Sequence, residues 1–225
     1  MKISIKRKIK QRAPHKPTRV HRDKSKYTRK GRKANERRKE LVAAEHERVK
    51  EGRKDDVFSL WFMPEGEIAD ELSSLIARLS REHSTPAFEP HVTLIGEINL
   101  PIAAAISRTR ELATSIPPFD IRLNRVAHHD RYFQCIFLRA DKTPEIMNAH
   151  SSACTVFEQT DTEEYLPHLS LVYGKLDTKT RQRVIQCTGN MMNIKFRARE
   201  IFLYYTEGEP TGWRCLSRFP CGGDQ

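Results

Sequence analysis

A chain of 225 residues is long enough for one substantial domain plus an appendage, and its formal charge of +11 is unevenly spread. Residues 1–54 hold 22 Lys/Arg and 6 Asp/Glu, a net of +16, whereas residues 55–225 hold 18 and 23, a net of −5, so the overall pI of 9.6 argues for nucleic-acid contact only through the N-terminal tract. No apolar run approaches a membrane span and no apolar leader opens the chain; the cysteines (Cys135, Cys154, Cys187, Cys215 and Cys221) are odd in number and lack a CxxC pair, which fits reduced thiols in a cytoplasmic or nuclear protein and leaves one disulfide open.

In chain order, residues 1–33 carry 15 Lys/Arg against a single acid, Asp23, with too few apolar side chains to offset chain entropy. Disorder is expected there. Residues 34–51 are richer in helix formers, and Glu36/Lys39, Glu45/Arg48 and Glu47/Lys50 form i,i+3 pairs. Leu41, Val42 and Val49 make only a thin apolar stripe. Residues 1–54 therefore read as an exposed, partly helical arm, and residues 55–225 as the folded domain. Val57–Met63 is an apolar strand ended by Pro64. Ile68, Leu72, Leu75, Ile76 and Leu79 predict an amphipathic helix over 67–82. A strand over 91–98 follows, then a helix over 101–115 with Pro101 at its first turn.

Phe119, Ile121 and Leu123 alternate, and Tyr132–Leu138 is rich in β-formers; together they predict a hairpin. Thr143-Pro144-Glu145 reads as a helix start, with the helix running to about Phe157. A strand over 168–173 comes next, then a short helix over 178–187 opened by Thr178. Ile194–Tyr205 and Trp213–Phe219 read as closing strands. This order predicts an α+β fold of two pseudo-symmetric lobes.

One short pattern occurs in both halves. Pro90-His91-Val92-Thr93-Leu94-Ile95-Gly96 is echoed by Pro167-His168-Leu169-Ser170-Leu171-Val172-Tyr173-Gly174, with the histidines 77 positions apart. Period-2 geometry sets His91 and Thr93 on one face of a strand, and His168 and Ser170 on one face of another. Val92, Leu94, Leu169 and Leu171 then point into a core. Two imidazoles can open a phosphodiester without a metal, one removing a proton from the attacking oxygen and the other protonating the leaving oxygen. Thr93 and Ser170 can donate to the non-bridging oxygens. Which histidine is acid and which is base is left open.

With these residues in place, the chain resembles the 2H phosphoesterase superfamily, defined by two His-x-(Thr/Ser) motifs. Within it, residues 56–219 most resemble the plant and yeast cyclic phosphodiesterases that open ADP-ribose 1″,2″-cyclic phosphate, a product of tRNA splicing. Further shared stretches are Ser59-Leu60-Trp61, Phe133-Gln134-Cys135-Ile136-Phe137-Leu138 and Thr143-Pro144-Glu145. The resemblance implies a bilobal fold, with two antiparallel sheets around a central cleft and helices outside. It implies catalytic roles for His91 and His168 and phosphate contact for Thr93 and Ser170. It also implies a phenolic contact from Tyr173 and a nucleotide pocket lined by Trp61 and Phe133. Core packing is the competing reading for Trp61, Phe133 and Tyr173. No cofactor and no metal are implied, and a monomer is expected.

Other histidines attract simpler readings. Adjacent His128 and His129, beside Asp130, would point to opposite faces of a strand and so suit a solvated turn better than a metal site. His83 and His150 read as surface residues. The basic arm departs from the compact family pattern. It suits salt-dependent contact with RNA or nuclear targeting, or is an incidental extension; the alternative function is an RNA-binding or RNA-end-processing protein, with the arm supplying affinity and the cleft handling RNA ends.

Overall fold

Helices separate the strands through most of the chain, and strands follow one another midway along it and at the C-terminal end. The computed structural model describes residues 56–160, 164–189 and 191–222, with no side chain described at Met191 and Met192. The basic arm of residues 1–54, with its expected helix, lies outside the described residues. The elements are β1 (Val57–Phe62), α1 (Gly66–His83), β2 (Val92–Asn99), α2 (Ile102–Ser115), β3 (Phe119–Ala127), β4 (Ile136–Ala140), α3 (Pro144–Phe157), β5 (His168–Val172), α4 (Thr178–Thr188), β6 (Met191–Ala198), β7 (Glu200–Tyr205) and β8 (Arg214–Pro220).

Local chemistry explains the helix ends. Leu72, Ile76 and Leu79 are the buried stripe of α1, which stops where Ser84 turns left-handed and its N–H bonds to the Ser80 carbonyl. Thr143 precedes Pro144 at the start of α3, as expected. In α4 the cap is Asp177, one residue before the expected Thr178; its carboxylate accepts from the N–H groups of Lys179 and Thr180 at 2.9 and 3.0 Å. The expected hairpin is present as β3 and β4, but Tyr132–Gln134 form a 3-10 turn instead of its second strand. That turn is fixed by contacts from elsewhere, described below, which strand propensity cannot register.

All strand pairs are antiparallel, in the order β6-β3-β4-β5-β2-β1-β7-β8. The two expected sheets are the two four-stranded halves of this array. They meet at β2 and β5 through the pair Val92↔Leu169, which joins them into one curled sheet. The halves share a plan: β1-α1-β2 in one matches β4-α3-β5 in the other. Each connecting helix packs under the histidine strand of the opposite half, α1 on β5 and α3 on β2. The two motifs therefore rest on one shared core, built from residues such as Leu94, Ile76, Leu169 and Leu171. Among the described residues no helix is long and apolar enough to cross a membrane.

Candidate active site

The central seam brings the two motifs together. Val92 and Leu169 are paired in antiparallel strands, so His91 lies beside Ser170 and Thr93 beside His168 across the seam. Val92 and Leu169 are fully buried toward the helices, which turns all four motif side chains to the other face. There they line a single cleft of about 360 Å³, together with Trp61, Phe133 and Tyr173. All seven residues singled out from the sequence thus meet in one place.

Both imidazoles are held in the same way. His91 Nδ1 bonds to the Glu89 carbonyl oxygen at 2.7 Å, and His168 Nδ1 bonds to the Leu166 carbonyl oxygen at 2.7 Å. A carbonyl only accepts, so each Nδ1 carries the hydrogen and each Nε2 is left for chemistry. Burial pushes the His91 pKa down to about 3; the Glu89 carbonyl opposes this, and the nearby His168 adds to it. His168 is also lowered, first by burial, with the Leu166 carbonyl opposing and His129 adding. Each ring therefore favours its neutral form.

The other predicted residues take distinct places. Trp61 is 3% exposed, with the His91 ring stacked on one face at 3.5 Å and the Tyr204 ring on the other at 3.9 Å. Both faces are covered, so it meets the cleft only by its edge and acts as the bed under His91. The Tyr204 hydroxyl donates to the Glu89 carboxylate, which closes a circuit: the Glu89 carbonyl holds His91, and its carboxylate holds the ring behind Trp61. Phe133, by contrast, is 51% exposed at the mouth of the cleft. Tyr173 stacks on Phe88 at 3.7 Å and sets its hydroxyl 3.4 Å from His91 Nε2. Burial raises its pKa, with Ser170 working against the rise.

Thr93 has no partner for its hydroxyl among the described residues, and that hydroxyl opens to the cleft. Ser170 donates to the Phe133 carbonyl at 2.7 Å. With the Gly174 N–H, which donates to the Tyr132 carbonyl at 2.9 Å, it clamps the 132–134 turn over the site. Gly174 sits at φ +148, and a Cβ there would come within 3.0 Å of Thr85 Cγ2, which accounts for the glycine closing the second motif.

Comparison with known proteins follows the same line. Residues 57–221 match the family model described as cyclic phosphodiesterase-like protein. The chain belongs to this family, a branch of the 2H phosphoesterases. A cyclic phosphodiesterase of Arabidopsis thaliana is 28% identical, covering 69% of this chain and 88% of the relative. A 2′,3′-cyclic-nucleotide 3′-phosphodiesterase of Yarrowia lipolytica is 26% identical, covering 52% and 73%. The fold is shared with a Thermus thermophilus protein (TM-score 0.55, 14% identity, 75% of this chain and 100% of that one). It is shared also with E. coli LigT solved with 3′-AMP (TM-score 0.52, 16% identity, 74% and 99%). Membership makes the chain an enzyme, a phosphoric diester hydrolase acting on cyclic phosphates.

Several cleft residues of this cyclic phosphodiesterase fold escaped sequence reasoning. Trp213 lies 6.0 Å from Phe133 and 5.7 Å from Trp61, ring to ring. Ser59 and Thr206 line the far end and share a 3.1 Å hydrogen bond. As one of two tryptophans, Trp213 was the only one with a signal; the others depend on how β1 and β7 pair. His150 is buried, against the surface position expected for it. Its Nδ1 bonds to the Leu94 carbonyl at 2.7 Å and its ring stacks on Tyr165 at 3.7 Å. Tyr165 in turn donates to the Thr93 carbonyl at 2.8 Å. Because α3 crosses to the opposite half, a face that looked solvent-exposed lies under β2. His128, His129 and Asp130 are exposed as expected. His129 bonds Gln134 at 2.9 Å, and Asp130 pairs with Arg181 at 3.2 Å.

Proposed function

We propose that the enzyme hydrolyses ADP-ribose 1″,2″-cyclic phosphate to the 1″-phosphate, and nucleoside 2′,3′-cyclic phosphates to 2′-phosphates, with His91 and His168 moving the protons. A water attacks the phosphorus and gives its proton to Nε2 of one imidazole. The ring P–O bond breaks, and the leaving ribose oxygen takes a proton from Nε2 of the other, which enters the step as the imidazolium that the docked anionic phosphate favours. Thr93 donates to a non-bridging oxygen, and Ser170 exchanges its Phe133 partner for another. The Tyr173 hydroxyl, beside His91, holds the water or the phosphate. Donors placed before the reaction stabilise the charge that develops in the transition state. Two imidazoles supply both proton transfers, so the step needs no metal.

The observation that carries this reading is the matched tethering of both rings, each with Nδ1 on a backbone carbonyl two residues upstream and both lining one cleft. The test is turnover of a panel of cyclic phosphates in excess chelator, with products identified by phosphorus NMR. The expected products are single monoesters, 1″ or 2′, formed at unchanged rate. Loss of activity in chelator, or 3′-phosphate products, would reject it.

The net charge of +16 on residues 1–54 supports an added role for the arm in salt-dependent contact with RNA. A chain beginning at Asp55 is expected to keep turnover of small cyclic nucleotides and to lose affinity for oligonucleotides. Equal oligonucleotide affinity with and without the arm would remove that role.

A further inference from the structure

Beside the cleft, the sheet carries a row of cations that the hydrolytic step does not use. In β4 and β5, Arg139 is paired with His168 and Phe137 with Ser170. In β3 and β4, Arg125 is paired with Arg139. Residues directly opposite one another share a face, and Leu138, Leu169 and Val126, the alternating partners, are buried against the helices. Arg139 and Arg125 therefore form a row on the cleft side that starts beside His168, and both are exposed.

Neither arginine makes an ion pair or side-chain hydrogen bond among the described residues. Acids near them among the described residues are engaged elsewhere: Glu164 pairs with Lys142 at 2.5 Å, and Asp141 accepts from Asn124. Arg139 and Lys142 both line two adjoining hollows of about 390 and 420 Å³, the first of which also holds Arg131 and His129. Gln134 lines both that hollow and the catalytic cleft, so the two are neighbours.

We propose that this row is an anion subsite for a second phosphate of the substrate, the one carried on the C5 oxygen of the ribose whose cyclic phosphate is opened. The proposal rests on the reading that the cleft opens ribose cyclic phosphates. Neighbouring strands are roughly 5 Å apart, so Arg139 and Arg125 stand about one and two strand widths from His168. One strand width is about the span of a sugar ring, and the arginine stems cover more; C5 stands on C4, across the ring from a 1″,2″-cyclic phosphate and next to C3 of a 2′,3′-cyclic one. Unpaired guanidiniums are suited to the oxygens of a phosphate there. The chemistry is shared by the pyrophosphate of an ADP-ribose derivative and the phosphodiester of an oligonucleotide end.

The experiment compares adenosine 2′,3′-cyclic phosphate with its 5′-phosphorylated counterpart as substrates of the full chain. The wild type is expected to favour the 5′-phosphorylated compound by about tenfold or more in kcat/KM, the range for a charged hydrogen bond. Arg139→Ala removes most of that preference through KM, leaves the unphosphorylated compound within about twofold, and Arg139→Lys restores part of it. Arg125→Ala/Arg139→Ala removes the rest. ADP-ribose 1″,2″-cyclic phosphate, run alongside, assigns the subsite to pyrophosphate if Arg139→Ala weakens it equally, and to a chain phosphate if it does not. No wild-type preference, or equal losses on both adenosine compounds, overturns the subsite. No turnover of any of the three compounds by the wild type ends the underlying reading instead.

Discussion

The two halves of the cleft use one device in two surroundings. His91 and His168 are tethered identically, yet His91 lies flat on Trp61 with Tyr173 and Phe88 around it. Among the described residues His168 has one ring contact, T-shaped with Phe137 at 5.1 Å, with Arg139 as its strand partner and His129 close enough to lower its pKa. One half is aromatic and sealed, the other cationic and open. Pseudo-symmetry supplies the paired imidazoles; the broken symmetry of their linings supplies a direction in which a substrate can lie.

The largest effects should be blind to that difference. His91→Ala and His168→Ala are each expected to lower kcat by roughly 10²–10⁴-fold with circular dichroism unchanged. A thousandfold gap between the two would mean that the halves are not equivalent in chemistry. Next comes the sealed side. Trp61→Ala removes the layer between His91 and Tyr204 and should cost about 3–5 kcal/mol in denaturant unfolding. A loss below 1 kcal/mol would show that the stack is not structural. Phe133→Ala, on the open side, should raise the KM of nucleotide substrates in line with about 1–3 kcal/mol for one stacked base, with the unfolding midpoint nearly unmoved. Smallest is Tyr165→Phe, which frees the Thr93 carbonyl and should cost about 1 kcal/mol of stability. A neutral result would remove Tyr165 as a brace of the first motif.

Much of this comparison was legible in the sequence because it is local. The period-2 run around each histidine fixed which side chains share a face, and the apolar spacing of Leu72, Ile76 and Leu79 fixed α1. What was hidden is pairing. That Val92 meets Leu169, that α3 crosses under β2 and buries His150, and that Arg139 stands opposite His168 are facts of register between distant segments. No single strand carries them. Tyr132–Gln134 misled for the same reason: its turn is held by Ser170 and Gly174, some 40 residues away.

The most direct test of paired acid–base work is the pH dependence of kcat/KM for the wild type and for each single-histidine variant. Both free-enzyme imidazoles lie below the ordinary value near 6.5. The wild-type profile should therefore be a bell whose rising and falling limbs both fall on the acid side of that value. His91→Ala and His168→Ala should each keep one limb, and the limb lost should differ between them. A complete bell in either folded variant would contradict the account.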